Sequence, residues 1–191
     1  MKKDTVIIGL GYQKQTGKST AADIIAMEFH ATHEVYQMAF AQKLKEEVAK
    51  IFNTTIGWIE ANKNHPLIRH ALQWYGTDYI REEDPDHWIK QIEREIFELE
   101  THVIKRARPL MVIIQDTRFQ NEADWIKGHG GFVFRVIRPS VIEDELSSHP
   151  SETELSDYPF NFTIRNEQGL EFLRTECKVV SEMIRHMISI R

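Results

Sequence analysis

The chain has a single cysteine, Cys177, among its 191 residues. That excludes an internal disulfide and any metal site built on several thiolates, and it suits a reducing compartment. Cys177 falls within a helical pattern, so it reads as a buried structural thiol rather than a nucleophile. Long apolar runs are also missing. None approaches the roughly 18 residues that a membrane-spanning helix needs. Positive charge is in deficit, with 24 Lys and Arg against 29 Asp and Glu and a net charge of −5. A general nucleic-acid binder carries a basic face in clear excess, so stable nucleic-acid binding is not expected. There is no internal repeat and no low-complexity tract. What remains is ordinary globular composition, 41% apolar and 28% charged, long enough for one well-buried domain. Met1-Lys-Lys-Asp4 runs straight into an apolar segment, leaving no room for a signal peptide, and a cytoplasmic location is expected.

The most informative stretch is Gly9-Leu-Gly-Tyr-Gln-Lys-Gln-Thr-Gly-Lys-Ser-Thr20. It follows the apolar run Val6–Leu10 and leads into a segment of helical spacing, Ala21–Met27. Strand, glycine-rich turn and helix form the setting of a phosphate-binding loop, where backbone N–H groups and a helix N-terminus converge on one anion. Lys18 is then expected to reach the β- and γ-phosphates, and the Ser19 hydroxyl to hold Mg²⁺. The usual spacing is G-x-x-x-x-G-K-[ST]. Here Tyr12 stands five before Gly17, and the nearest upstream glycine, Gly11, is one residue early. The motif's first half fails while its working end, Thr16–Thr20, is intact.

Further along, the alternation in Glu34–Met38 predicts a second strand, and Leu44, Val48, Ile51 and Phe52 predict an amphipathic helix over 39–52. Phe40 opens that helix beside a strand end, where it suits either a stacked base or the core. His30 and His33 read as a solvated helix end. Residues 53–108 are helical in pattern, interrupted by Gly76-Thr77, which predicts close backbone approach or a break near a ligand. Arg69, Trp74, Tyr75 and Arg81 in this block suit a base and a phosphate, or equally an amphipathic core helix with solvated arginines. Asp86 is placed to cap the next helix, whose stripe includes Trp88, Ile89, Ile92 and Ile96. Lys105, Arg106 and Arg108 are expected to close it.

Leu110-Met-Val-Ile-Ile-Gln-Asp116 reads as a buried parallel strand that delivers Asp116 at its tip. That is where a carboxylate meets Mg²⁺ in such enzymes, and Arg118 follows two residues later, facing the same crevice. Phe132–Arg138 is another strand, with Arg138 at its end. The acidic, turn-rich stretch 140–159 suits a lid or a surface excursion, and Ser151 with Glu154 fits a capping box. Phe160–Ile164 is the last strand candidate, and a helix over Leu170–Ile188 closes the chain. Five strands with helices between them imply an α/β fold, a mainly parallel sheet covered on both faces. Residues 53–108 form its helical, substrate-binding portion.

Four stretches together resemble the phage-type deoxynucleoside monophosphate kinases, a branch of the P-loop nucleotide kinases. They are Gly11–Thr20; Leu72–Tyr79 with Arg81 and Asp84–Trp88; Asp116–Ala123; and His149–Glu152 with Phe160–Asn166. The resemblance runs from about residue 5 to 173 and implies a single P-loop NTPase domain. It implies transfer of the γ-phosphate of ATP to a deoxynucleoside monophosphate with Mg²⁺, with Lys18, Asp116 and Arg118 as catalytic residues. It also implies ATP binding by Lys14, Gln15, Thr16, Gly17, Lys18, Ser19, Thr20 and Arg138, and metal binding by Ser19 and Asp116. The acceptor's residues would be Phe40, Lys45, Arg69, Gln73, Trp74, Tyr75, Arg81, Arg118 and Glu122. Many relatives have Lys-Asp-Thr where this chain has Lys18-Ser-Thr20, which brings its metal shell nearer to that of ordinary P-loop enzymes. The competing readings are another small-molecule P-loop kinase, of the dephospho-coenzyme A or shikimate type, a catalytically silent nucleotide-binding regulator, and a nucleic-acid end kinase. A homodimer, the preferred base and the choice of deoxyribose over ribose are left open.

Overall fold

A computed structural model describes residues 5–102, 108–139 and 153–190. Five short strands, β1 (Val6–Gly11), β2 (Glu34–Met38), β3 (Leu110–Thr117), β4 (Phe132–Ile137) and β5 (Phe162–Arg165), form one sheet. Their order is β2-β3-β1-β4-β5, and every pairing is parallel. Parallel neighbours need crossovers, here supplied by helices that cover both faces. The period-2 alternation of the strands divides the core in two. Val6, Ile8, Leu10, Met111, Ile113 and Phe134 pack under α1 (Lys18–Phe29) and α8 (Leu170–Ser189). Ile7, Val112, Ile114 and Val133 pack under α2 (Phe40–Ile51), α6 (His87–His102) and α7 (Gln120–Gly128). The chain is therefore an α/β fold of P-loop type, its sheet wholly parallel among the described residues.

The long helical block resolves into α3 (Ile56–Asn62), α4 (Pro66–Gln73), a π-helical turn (Trp74–Tyr79), α5 (Ile80–Glu83) and α6. Local chemistry sets the starts. Thr55 caps α3 by accepting from Trp58 N at 3.1 Å, and Pro66 occupies the first turn of α4, where its missing N–H is no loss. Asp86 precedes α6 as expected, but its carboxylate accepts from Asn121 Nδ2 at 2.8 Å. The segment is irregular at Gly76, as its sequence suggested. The helix widens to π there, and a Cβ at Gly76 would stand 2.6 Å from Leu44 Cδ2. Trp88 Nε1 donates to the Gly76 carbonyl at 3.0 Å, which fixes the widened turn from the far side. Gly76→Ala is expected to push Leu44 aside and destabilise the fold by about 1–3 kcal/mol. Urea unfolding measures this; an unchanged midpoint would mean that Leu44 yields freely.

Some expectations need correction. His33 is not solvated: it is 9% exposed, edge-on to Phe29 with ring centroids 5.4 Å apart. Burial, helped by Arg185, lowers its pKa. The last strand begins at Phe162 rather than Phe160, because Asn161 uses both its backbone N–H and its side-chain oxygen on Val133. Cys177 is fully buried and burial pushes its thiol up to about 12, in keeping with a structural role. The basic helix end at Lys105 and Arg106 lies outside the described residues, while Arg108 pairs with Glu34 and donates to the His30 carbonyl. Residues 140–152, most of the expected lid and Ser151 of its capping box, also lie outside them. Glu154 instead accepts from Gln120 N at 2.9 Å. Leu155 and Tyr158 of the same stretch are buried in the core beneath α7. Among the described residues no helix is long and apolar enough to cross a membrane.

Candidate active site

The loop between β1 and α1 carries three residues at positive φ, Tyr12 (89°), Gln15 (58°) and Gly17 (97°). Gly17 is the residue before α1, and the close approach of Asn166 explains the glycine. A Cβ there would stand 2.6 Å from Asn166 Nδ2, which donates to the Thr16 carbonyl at 3.0 Å. Lys18 is 8% exposed, and its ammonium donates to the carbonyls of Gln13 and, at 3.2 Å, of Tyr12. The loop thus curls around its own lysine. Ser19 and Thr20 stand exposed in the first turn of α1, where the helix dipole favours an anion.

A cavity of about 830 Å³ opens over this loop. Six cations line it, Lys14, Lys18, Lys43, Lys45, Lys63 and Arg118, against four carboxylates, Glu46, Glu60, Glu95 and Asp116. The surplus of positive charge suits a polyphosphate. Part of it is tied up at the rim, where Lys45 meets Glu60 at 2.7 Å and Lys43 meets Glu95 at 2.8 Å. Hydrogen bonds from Lys45 and Lys63 hold the Glu60 carboxyl below its usual range.

A second cavity, of about 190 Å³, lies beside the first. Phe40, Leu44, Leu72, Trp88 and Phe119 give it apolar and aromatic walls, and Gln73, Thr77, Arg81 and Glu122 supply its polar groups. The two cavities share Ala41, Lys45, Asp116 and Arg118. Asp116 is placed by the end of β3. One of its oxygens accepts from Phe40 N and the other from Ala41 N, both at 2.8 Å. These are the first N–H groups of α2, whose preceding residue Ala39 offers no side-chain cap.

Among the described residues Glu122 and Arg81 form the deepest charged pair, with side chains 2% and 9% exposed. Glu122, in the first turn of α7, also accepts from Arg118 N at 2.8 Å and Phe119 N at 3.2 Å. Burial nevertheless pushes its carboxyl up to about 7, against the opposing pull of Arg81 and these N–H groups. The Arg81 guanidinium lies 3.7 Å over the Phe119 ring and donates to Asn121 Oδ1 at 3.2 Å.

The sequence candidates divide accordingly. The larger cavity brings together Lys14, Gln15, Gly17, Lys18, Ser19 and Thr20, and the smaller one Phe40, Gln73, Arg81 and Glu122. Lys45, Asp116 and Arg118 belong to both. Five candidates line neither cavity. Thr16 is buried and donates to the Gln13 carbonyl at 3.2 Å. Trp74 stacks on Tyr79 at the surface, half-exposed, and the Tyr75 hydroxyl turns away to Glu47 at 3.0 Å. Both fall off the face that Leu72, Gln73, Gly76 and Thr77 present to the smaller cavity. Arg69 is half-buried on α4, and Arg138 is exposed just past β4. Sequence reasoning passed over Leu72, Thr77, Trp88 and Phe119: Trp88 sits in a helical stripe that looks the same whether it faces core or cavity, and Phe119 stands ahead of α7 with no periodicity to mark it. Asn166 gave no local signal, lying 150 residues from its partner. Among the described residues no group of three or more His, Cys, Asp or Glu side chains stands ready to hold a metal.

The chain is similar to known proteins in sequence and in fold. A family model described as deoxynucleotide monophosphate kinase matches residues 49–177, a span that holds most of the smaller cavity and both Asp116 and Arg118. A protein of Acanthamoeba polyphaga mimivirus, provisionally named a deoxynucleotide monophosphate kinase, is 32% identical over 185 residues, covering 87% of this chain and 91% of that one. Among solved structures, dephospho-CoA kinase from Campylobacter jejuni overlays with a TM-score of 0.48 at 16% identity, covering 95% of this chain and 98% of that one. Shikimate kinase from Aquifex aeolicus does so with a TM-score of 0.43 at 16% identity, covering 94% and 98%. With a family match over two thirds of its length and a relative of this similarity, the chain belongs to the deoxynucleotide monophosphate kinase family.

Proposed function

We propose that this protein transfers the γ-phosphate of ATP to a deoxynucleoside 5′-monophosphate, giving the diphosphate. The observation that carries this reading is the meeting of a cationic cavity over a phosphate-binding loop with a smaller aromatic one, at Lys45, Asp116 and Arg118. Phosphoryl transfer asks a protein for positioning and charge neutralisation rather than covalent chemistry. The larger cavity supplies both for the donor. Gly17, Lys18 and the first turn of α1 cradle the triphosphate, and Lys18 offers its ammonium toward the transferring group. The smaller cavity holds the acceptor's base between Phe40, Leu72, Trp88 and Phe119, with Gln73 and Thr77 able to bond its polar edge. Arg81 grips the monophosphate. Arg118, at the junction, neutralises charge as the phosphoryl group passes between the two anions.

The Ser19 hydroxyl and the Asp116 carboxylate are hard oxygen donors that both line the larger cavity and fit Mg²⁺. Each Asp116 oxygen accepts a single backbone N–H and so retains further acceptor capacity. Bound Mg²⁺ supplies neutralisation of the charge on the donor phosphates.

Turnover from ATP–Mg²⁺ measured across deoxy- and ribonucleoside monophosphates, with dephospho-coenzyme A included, tests the proposal. Diphosphate formation from one or more deoxynucleotides is expected. Phosphorylation of dephospho-coenzyme A alone would move the acceptor to another alcohol. Binding of ATP with no transfer to any acceptor would leave a nucleotide-binding regulator.

A further inference from the structure

We infer that Arg135 is a positioning residue for the phosphate-binding loop. Stacked on Tyr12, it replaces the glycine that the motif's first position lacks. Five residues before Gly17, where the G-x-x-x-x-G-K-[ST] pattern has glycine, Tyr12 adopts φ 89°. That conformation is natural for glycine and strained for a bulky side chain, and it persists only where its surroundings over-determine it. The Arg135 guanidinium carbon lies 3.8 Å from the Tyr12 ring centroid, and 5.9 Å from that of Phe160. Arg135 is held on β4 directly beside Gly11 of β1, so the sheet fixes its Cα against the start of the loop. Its Nε is buried with no hydrogen-bond partner among the described residues, so the contacts with the two rings are what hold the guanidinium here.

The consequence reaches the chemistry through the backbone. Tyr12's carbonyl accepts from the Lys18 ammonium at 3.2 Å, next to the Gln13 carbonyl. A return of residue 12 to negative φ swings that carbonyl and reshapes the cage around Lys18. Neither Tyr12 nor Arg135 lines the two cavities described above, so the pair acts on substrate through Lys18. The activity readout below rests on the proposed use of ATP.

Four proteins test this: the natural chain, Arg135→Ala, Tyr12→Gly and the double variant. Arg135→Ala is expected to lower kcat/KM for ATP by at least about tenfold, the equivalent of releasing the strain held at residue 12. Adding Tyr12→Gly is expected to return it to within about threefold of the natural chain, since glycine takes φ near +90° unaided. Loss of a merely structural contact would give the opposite, a double variant worse than either single one. An unchanged Arg135→Ala, or a double variant no better than it, would overturn the inference. A crystal structure of Arg135→Ala provides the readout that needs no turnover. Tyr12 is expected at negative φ, and a value still near +89° would equally overturn the inference. A natural chain inert with ATP would sink the proposed function while leaving that structural comparison intact.

Discussion

Replacing Arg118 by alanine is expected to cut turnover by about three orders of magnitude while leaving the fold intact. An arginine that meets the transferring phosphoryl group is worth roughly 10³–10⁵ in kinases and GTPases, and one preorganised donor about 10²–10³. Arg118 lines both cavities. Its position is set by its backbone, since its N–H donates to Glu122 at 2.8 Å and does not depend on the side chain. The side chain is only partly buried, so its removal leaves no cavity in the core. Lys18→Ala is expected to fall by about 10²–10³, as it removes one charged donor from the loop. Steady-state kinetics beside a thermal melt separate chemistry from folding. A variant at either position turning over within threefold of the natural chain would refute the role assigned to it.

The second large effect concerns stability. Arg81→Ala is expected to destabilise the protein by about 3–5 kcal/mol at pH 8, because it strands a buried carboxylate without its partner. The effect has a definite pH dependence. Glu122 titrates near 7 in the folded chain and near its ordinary 4.5 in the unfolded one. Between these values the folded state holds the extra proton. In the natural chain, this group's contribution to stability therefore falls as pH rises from about 4.5 to about 7, and is level above. Without Arg81 the carboxyl moves further up, so at pH 5 it is protonated and the penalty shrinks. Adding Glu122→Gln to Arg81→Ala is expected to recover most of the stability at pH 8, but not the grip on the monophosphate. Urea unfolding at pH 5 and pH 8 decides the matter. Equal losses at both would show that the pair's charge is not what Arg81 answers.

The fold was legible where periodicity is strong. The apolar runs at Val6–Leu10 and Leu110–Ile114 could only be buried strands. Asp116 at the tip of the second could be placed at the crevice once that position was combined with the loop at Gly17–Ser19. The working end Gly17-Lys18-Ser19 told its own story. Three kinds of information were not local. Trp88 and Phe119 face a cavity, yet their spacing is that of core residues. Trp74 and Tyr75 read as base-stacking groups from residue type, whereas this segment lines the cavity through Leu72, Gln73, Gly76 and Thr77, one helical face that both rings lie off. Tyr12 looked like a broken motif, whereas its backbone obeys the motif and its side chain is accommodated from another strand.

The sheet order has a consequence for how the site comes into being. Strand β3 lies between β2 and β1, although 71 residues separate the end of β2 from its start. Until it inserts, α2 has no carboxylate at its N-terminus, for Asp116 arrives only with that strand. A nascent chain that ends before Leu110 has its phosphate-binding loop, its lysine and Phe40, but lacks Asp116 and Arg118, which line both cavities. Long-range pairing of this kind is the slow part of assembly. Strand β3 thus brings together, in one event, the cap of α2 and the two charged side chains that join the cavities.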